Sequence, residues 1–253
     1  MSERQVKSRK RVADHGEVFT AQREVNAMLD LVKQETERID SRFLEPACGD
    51  GNFLAEILRR KLEAAERMSH HTRVNRKTLV RTTLKSIDTA LYEKNAFIAV
   101  TSLYGVDILQ DNVEACRERL FSLWDGTVSE VCGLGDRDEL CAAIRFVLAH
   151  NILCGNALTL KKVDADGQDL AEPIIFSEWV FTGEQSVRRS DYRLDVLMNE
   201  NPDQSQYHQK TALFDTETAV EWQIDPDSGK KLPKPIREFR PVYYWKVHEQ
   251  TSR

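Results

Sequence analysis

Phe43-Leu44-Glu45-Pro46-Ala47-Cys48-Gly49-Asp50-Gly51-Asn52-Phe53 is the stretch from which the fold of this chain is read. Phe43 and Leu44 end an apolar strand, and Gly49 and Gly51 bracket a tight turn. Phe53, Leu54, Ile57 and Leu58 then recur at helical spacing. A strand that turns on glycines into a helix lets a ligand approach the backbone with no Cβ in the way. The first amides of that helix offer donors and the positive end of a dipole to an anionic group. As a dinucleotide or phosphate loop the turn lacks the required spacing: Gly49-Asp50-Gly51 is followed by Asn52, Phe53 and Leu54, with neither a third glycine nor a Gly-Lys pair.

With 253 residues the chain is long enough for one sizeable α/β domain and an appendage. Its 30% of charged residues predicts a well-solvated surface, and no apolar run reaches the length of a bilayer span. Met1 to Lys7 lacks the apolar core of a signal peptide, so a cytoplasmic chain is expected. A net charge of −5 excludes a uniformly basic coat and leaves only local patches for nucleic acid. One such patch is Lys7-Ser8-Arg9-Lys10-Arg11; the other runs from Arg59 through Arg67, Arg73, Arg76, Lys77 and Arg81 to Lys85. A solvated helix face or a flexible tail accounts for either patch equally well. The cysteines number five and include no C-x-x-C pair, which fits reduced thiols rather than a disulfide frame or a zinc site. His70-His71 lies in a polar connection without ligand spacing, and no metal is expected.

Taken in order, residues 1–13 read as a disordered basic tail, and Thr20 as the N-cap of a helix carrying Val25, Met28, Leu29, Leu31 and Val32. A helix over 52–68, an exposed connection over 69–76 and a second helix over about 83–97 follow, the last through Leu84, Ile87, Leu91 and Tyr92. Phe97 to Val106 predicts a strand ending at Asp107. A helix opened by Asp111 comes next, then a glycine-containing loop over 126–136 and a helix from Leu140 to Leu148. Ile152 to Leu158 reads as a third strand running into a loop, and Pro173 to Phe181 as a fourth central strand. Alternation of this kind predicts a doubly wound α/β sheet with an N-terminal helical lead-in. The domain is expected over 14–181. Residues 182–253 form a polar, loop-rich extension, with a strand at Trp222-Gln223-Ile224, a turn at Asp225–Gly229 and a last strand over Pro241–Val247.

The string Glu45–Leu54 resembles the S-adenosylmethionine loop of DNA adenine (N6) amino-methyltransferases. His15-Gly16-Glu17-Val18-Phe19-Thr20 resembles the segment that precedes this loop, and Tyr104-Gly105-Val106-Asp107-Ile108 the second cofactor strand. The resemblance spans roughly residues 12–160. It implies a Rossmann-like methyltransferase sheet, incomplete at its C-terminal strands, and S-adenosyl-L-methionine as cofactor. By the resemblance, Phe19 and Thr20 flank the methionine part. Glu45, with Pro46 and Ala47, meets the amino group above Gly49 and Gly51. Asp107, beside Ile108, takes the ribose hydroxyls, and a turn or N-cap aspartate is the plain alternative for it. Asn156 stands where the family has an aspartate for the adenine amino group, and Asp50 replaces a small residue.

The family's acceptor motif, Asn/Asp-Pro-Pro-Tyr/Phe, is absent, and the slot after Ile174-Ile175-Phe176 holds Ser177-Glu178-Trp179. There Trp179 would stack on a flipped base and Glu178 would accept from its amino group; a core aromatic and a solvent-facing strand residue are the alternatives. The resemblance implies a DNA adenine methyltransferase, or its modification subunit in a restriction-modification system. DNA would be met through the Arg59–Lys85 segment, alongside a partner specificity or methylation subunit. The alternative is a catalytically inactive cofactor-binding or assembly subunit that works with a partner chain.

Overall fold

The computed structural model describes residues 11, 20–74, 81–198, 222–224 and 231–250. In chain order, α1 (Gln22–Asp30) and α2 (Lys33–Thr36) lead into β1 (Phe43–Glu45), and the glycine turn opens α3 (Asn52–Ser69). A hairpin of β2 (His70–Val74) and β3 (Arg81–Ile87) precedes α4 (Thr89–Thr101) and β4 (Leu103–Asp107). Then come α5 (Gln110–Cys132), α6 (Asp138–Asn151) and β5 (Ile152–Cys154). A small hairpin, β6 (Lys161–Val163) with β7 (Asp169–Pro173), leads to the long pair β8 (Ile175–Phe181) and β9 (Ser186–Arg193). The remaining elements are α7 (Leu194–Leu197), β10 (Trp222–Ile224), β11 (Lys231–Pro233), β12 (Arg237–Glu238), β13 (Val242–Tyr243) and a 3-10 turn over Tyr244–Glu249.

The centre is a parallel three-stranded sheet in the order β1-β4-β5, with Glu45 opposite Gly105 and Asp107 opposite Cys154. All three strands therefore end at the same crest. Helices cover the sheet because each presents one apolar face: Leu54, Ile57, Leu58 and Leu62 of α3 are buried, as are Phe97 of α4, Trp124 of α5 and Ile144 of α6. At Gly105 the middle strand passes so near the turn that a Cβ would lie 3.0 Å from Leu54 and 3.1 Å from Cys48. The architecture is α/β. Among the described residues no helix is long and apolar enough to cross a membrane.

A second, antiparallel sheet joins β8, β12 and β13 to β9. The Pro173–Phe181 run is thus a strand, but it pairs antiparallel with β9 rather than entering the central sheet as its fourth member. The C-terminal segment packs on the main core: Tyr244 and Val247 are buried, and the rings of Phe97 and Tyr244 lie 5.2 Å apart.

Several local expectations are corrected. The helix expected over 83–97 is strand β3 up to Ile87, and the connection over 69–76 is largely its partner β2. Helix α4 starts two residues later, where the Asp88 carboxylate accepts from the Leu91 amide at 3.0 Å. Phe97–Thr101 belongs to that helix, so β4 begins only at Leu103. No loop occupies 126–132, because Gly126 has open space around it while buried Val128 holds the last turns of α5 to the core. The last strand is cut to Val242–Tyr243 before the 3-10 turn. Helix α1 is capped from Ala21 without a side-chain bond, so Thr20 is not its cap, and Met28 and Leu31 stay exposed. Strand β9 escaped the sequence because its inward positions include Arg189 and Asp191, which break the apolar alternation of a half-buried strand. The expected basic tail, apart from Arg11, and the turn at Asp225–Gly229 lie outside the described residues.

Candidate functional site

The crest of the parallel sheet is assembled from the glycine turn upward. Gly49 and Gly51 both take positive φ, +53° and +91°, which side chains resist. The Cys48 amide donates to Val106 O at 2.9 Å and the Gly51 amide to Cys48 O at 2.8 Å, closing the turn against β4. A Cβ on Gly51 would sit 2.7 Å from Cys116 Sγ, so α5 reinforces the glycine requirement from outside the turn. Cys48 and Cys116 are buried free thiols, and the Cys116 thiol together with burial drives the Cys48 thiol far up.

Asp107 is the hub of the crest. Its Oδ2 accepts from the Gly49 amide at 2.9 Å, and its Oδ1 accepts from the Leu109 amide at 2.9 Å and from Asn112 Nδ2 at 3.2 Å. The carboxylate at the end of β4 thereby fixes both the turn after β1 and the start of α5. Glu45 is half-buried beside it. Burial pushes its carboxyl up, and a long bond from the Ala47 amide, 3.4 Å, acts in the opposite sense. Pro46 and Ala47 are exposed at the rim.

Asp50 is turned toward Arg119, 2.7 Å from Oδ2, while its Oδ1 is buried without a partner. Arg119 also donates to Asn52 Oδ1, and Asn52 Nδ2 donates to Thr20 O at 3.1 Å. Thr20 is therefore tied to the turn, whereas Phe19 lies outside the described residues. Ile108 packs beneath Gly167 of the β6–β7 hairpin. Asn156, at the end of β5, is committed to its own turn: Oδ1 accepts from the Leu158 amide at 3.0 Å and Nδ2 donates to Asp169 at 2.9 Å. The structure thus gathers Thr20, Glu45–Gly51, Asp107, Ile108 and Asn156 at one end of three parallel strands. Arg119 and Asn112 join them without a sequence signal, apart from Asn112 following Asp107 by one helical turn and a residue.

Ser177, Glu178 and Trp179 do not form one exposed group. The Ser177 hydroxyl is buried, donating to Asp191 Oδ1 at 2.7 Å and accepting from Arg189 Nε at 3.0 Å. Trp179 is 8% exposed and its indole N–H donates to Asn151 Oδ1 at 3.0 Å, so its ring is a core aromatic rather than a free stacking platform. The Glu178 side chain reaches a cleft that Ser177 also lines, and there it pairs with Arg42. That cleft, about 390 Å³, lies along β1 and β8 and is walled by Phe43, Leu44, Phe176 and Tyr192.

The expected DNA segment is partly neutralised. Arg59 and Arg60 both bind Glu56, at 2.7 and 2.8 Å, and Arg60 also binds Asp30 at 2.9 Å. The neighbouring Arg59 guanidinium holds the Glu56 carboxyl below the usual range despite burial. Arg67 and Lys85 are exposed, and the side chains of Arg73, Arg76, Lys77 and Arg81 lie outside the described residues. Compared with protein-family models, curated proteins and solved structures, the chain matches none of them.

Proposed function

We propose that this chain has a Rossmann-like, methyltransferase-type fold and binds S-adenosyl-L-methionine at the crest, as a DNA adenine methyltransferase or the modification subunit of a restriction-modification system. The observation that carries the proposal is the Gly49–Asp107 bond, which locks a positive-φ glycine turn to an acid on the adjacent parallel strand. A crevice outside the carboxyl ends of parallel strands is where open α/β sheets hold their ligands. In this arrangement the rim backbone at Pro46–Ala47 faces the cofactor's methionine end, and Glu45 accepts from its ammonium. Asp107 orders the site through Gly49 and would accept from the ribose hydroxyls, and Ile108 would supply an apolar wall for the adenine. Glu178 is the group left to accept from a target amino group, with Phe176 and Tyr192 flanking it.

A second proposal is a cofactor-binding assembly subunit without chemistry of its own. It is favoured by the burial of Ser177 and Trp179, which leaves Glu178 as the sole polar candidate of that slot. One experiment separates the two: transfer of labelled methyl from S-adenosylmethionine to unmethylated genomic DNA, with cofactor binding measured by calorimetry on the same preparation. Transfer that Glu178→Gln removes supports the enzyme. Binding without transfer supports the assembly subunit, and absence of binding overturns both.

A further inference from the structure

Asp50 puts a carboxylate between Gly49 and Gly51, two residues before α3 begins. With Glu45 and Asp107, both bonded to backbone amides of the same turn, it makes a border of three acids. Helix α3 starts from Gly51 with no side chain capping it and no acid in its first turn. The first amides of a helix lack partners within it and, with the dipole, favour an anion. An anionic group drawn there comes up beside Asp50, and like charges at close range repel. The turn therefore carries a charge that opposes a carboxylate on its ligand, unless something neutralises it.

Arg119 does so from outside the turn. Its Nη2 lies 2.7 Å from Asp50 Oδ2, and its Nη1 donates to Asn52 Oδ1 at the head of α3. Asn52 in turn donates to Thr20 O at 3.1 Å, so one guanidinium ties the turn, α3 and the lead-in together. Arg119 follows Cys116 by three residues on α5, a spacing that puts both on one helix face. The first supports Gly51 from below, with its Sγ 2.7 Å from where a Cβ would stand, and the second holds Asp50 one turn further along. Among the described residues Arg119 is the one cation bonded to the turn. The Asp50 side chain is 19% exposed and its Oδ1 is buried without a partner, so no other protein group shares its charge.

We propose that Arg119 is a positioning residue for the anionic end of the crest's ligand: it neutralises Asp50 and holds that carboxylate toward α5, so that a ligand carboxylate can approach the first amides of α3. The inference rests on the S-adenosyl-L-methionine reading, in which Glu45 takes the ammonium and the start of α3 then takes the carboxylate. Arg119 acts through Asp50 and Asn52 and does not itself touch the reacting atoms. The test is calorimetry on the full chain with S-adenosylmethionine and with decarboxylated S-adenosylmethionine, which keeps the ammonium and the sulfonium and lacks only the carboxylate. The ratio of the two affinities, taken on one preparation, is insensitive to any unfolded fraction. Arg119→Met is expected to lower the preference for the carboxylate-bearing ligand by about tenfold. Asp50→Asn, which frees the Arg119 charge, is expected to raise it, and the double variant to return it to the wild-type value. A loss shared equally by the two ligands would make Arg119 a clamp of the fold alone and overturn the proposal, as would a ratio that no variant moves; the cofactor reading survives both results. Failure of the wild type to bind either ligand overturns that reading, and the proposal with it.

Discussion

At the scale of single residues, two positions are over-determined by their surroundings. Gly51 combines φ of +91° with a Cys116 sulfur 2.7 Å from where a Cβ would stand. Gly51→Ala is therefore expected to lower stability by about 1–3 kcal/mol in urea unfolding, through backbone strain and overpacking together. An unchanged midpoint would show that the turn does not need its glycine. Lys61 is the second. It is fully buried in α3, its ammonium donating to Ile39 O at 3.3 Å and Ser102 Oγ at 2.6 Å as well as to Ser41 O. Burial pulls its pKa down to about 7. An unfolded lysine keeps its proton to about pH 10.4. Between those values the unfolded chain binds more protons, so the free energy of unfolding rises with pH, by up to roughly 1.4 kcal/mol per unit. Stability measured from pH 7 to 9 should climb in the wild type, and Lys61→Met should flatten the slope. A flat wild-type profile would mean that the carbonyl cage keeps Lys61 charged.

At the scale of elements, the β8–β9 pair is held by a buried ionic knot. Arg189 bonds Asp191 at 2.8 and 3.0 Å, and its guanidinium stacks 4.4 Å from the Phe239 ring centroid, tying β9 to the C-terminal segment. Removing one partner strands the other in low dielectric, so Asp191→Ala is expected to cost about 3–5 kcal/mol. The paired replacement of Arg189 and Asp191 by apolar residues should cost less than Asp191→Ala alone, and a double-mutant cycle in denaturant checks the difference. The junction of β1, β4 and α5 depends on Asp107 in the same way. Asp107→Ala removes the acceptor of three donors, two of them backbone amides. Loss of cofactor affinity by roughly 1–3 kcal/mol is expected if the acid serves the site. Unaltered affinity would reduce Asp107 to a structural cap.

For the whole molecule, the question is which surface meets a partner. The α3 end of the basic segment is internally paired through Glu56, so its contribution to phosphate binding should be small. If the chain binds DNA as proposed, charge reversal of Arg59 is expected to leave the salt dependence of that binding unchanged, whereas reversal of exposed Arg67 and Lys85 should flatten it by about one phosphate each. A titration of DNA affinity against salt distinguishes them; equal effects would discard the segment as an interface.

How much of this was legible in the sequence follows from the range of the interactions involved. The glycine turn, the amphipathic face of α3 and the acid ending β4 are local signals, and Phe43–Phe53 and Tyr104–Ile108 carried them with their spacing intact. The hairpin β2–β3 was hidden because Leu84, Ile87 and Leu91 mimic helical periodicity, and only pairing across the hairpin selects the strand. Strand β9 was hidden because Arg189 and Asp191 read as surface residues until they neutralise one another in the interior. The same holds for Trp179, whose fate rested on Asn151 lying within reach of its N–H. Local chemistry therefore determined the crest of the sheet. The direction of β8 and the burial of its side chains were decided by contacts between segments far apart in the chain, which no local pattern encodes.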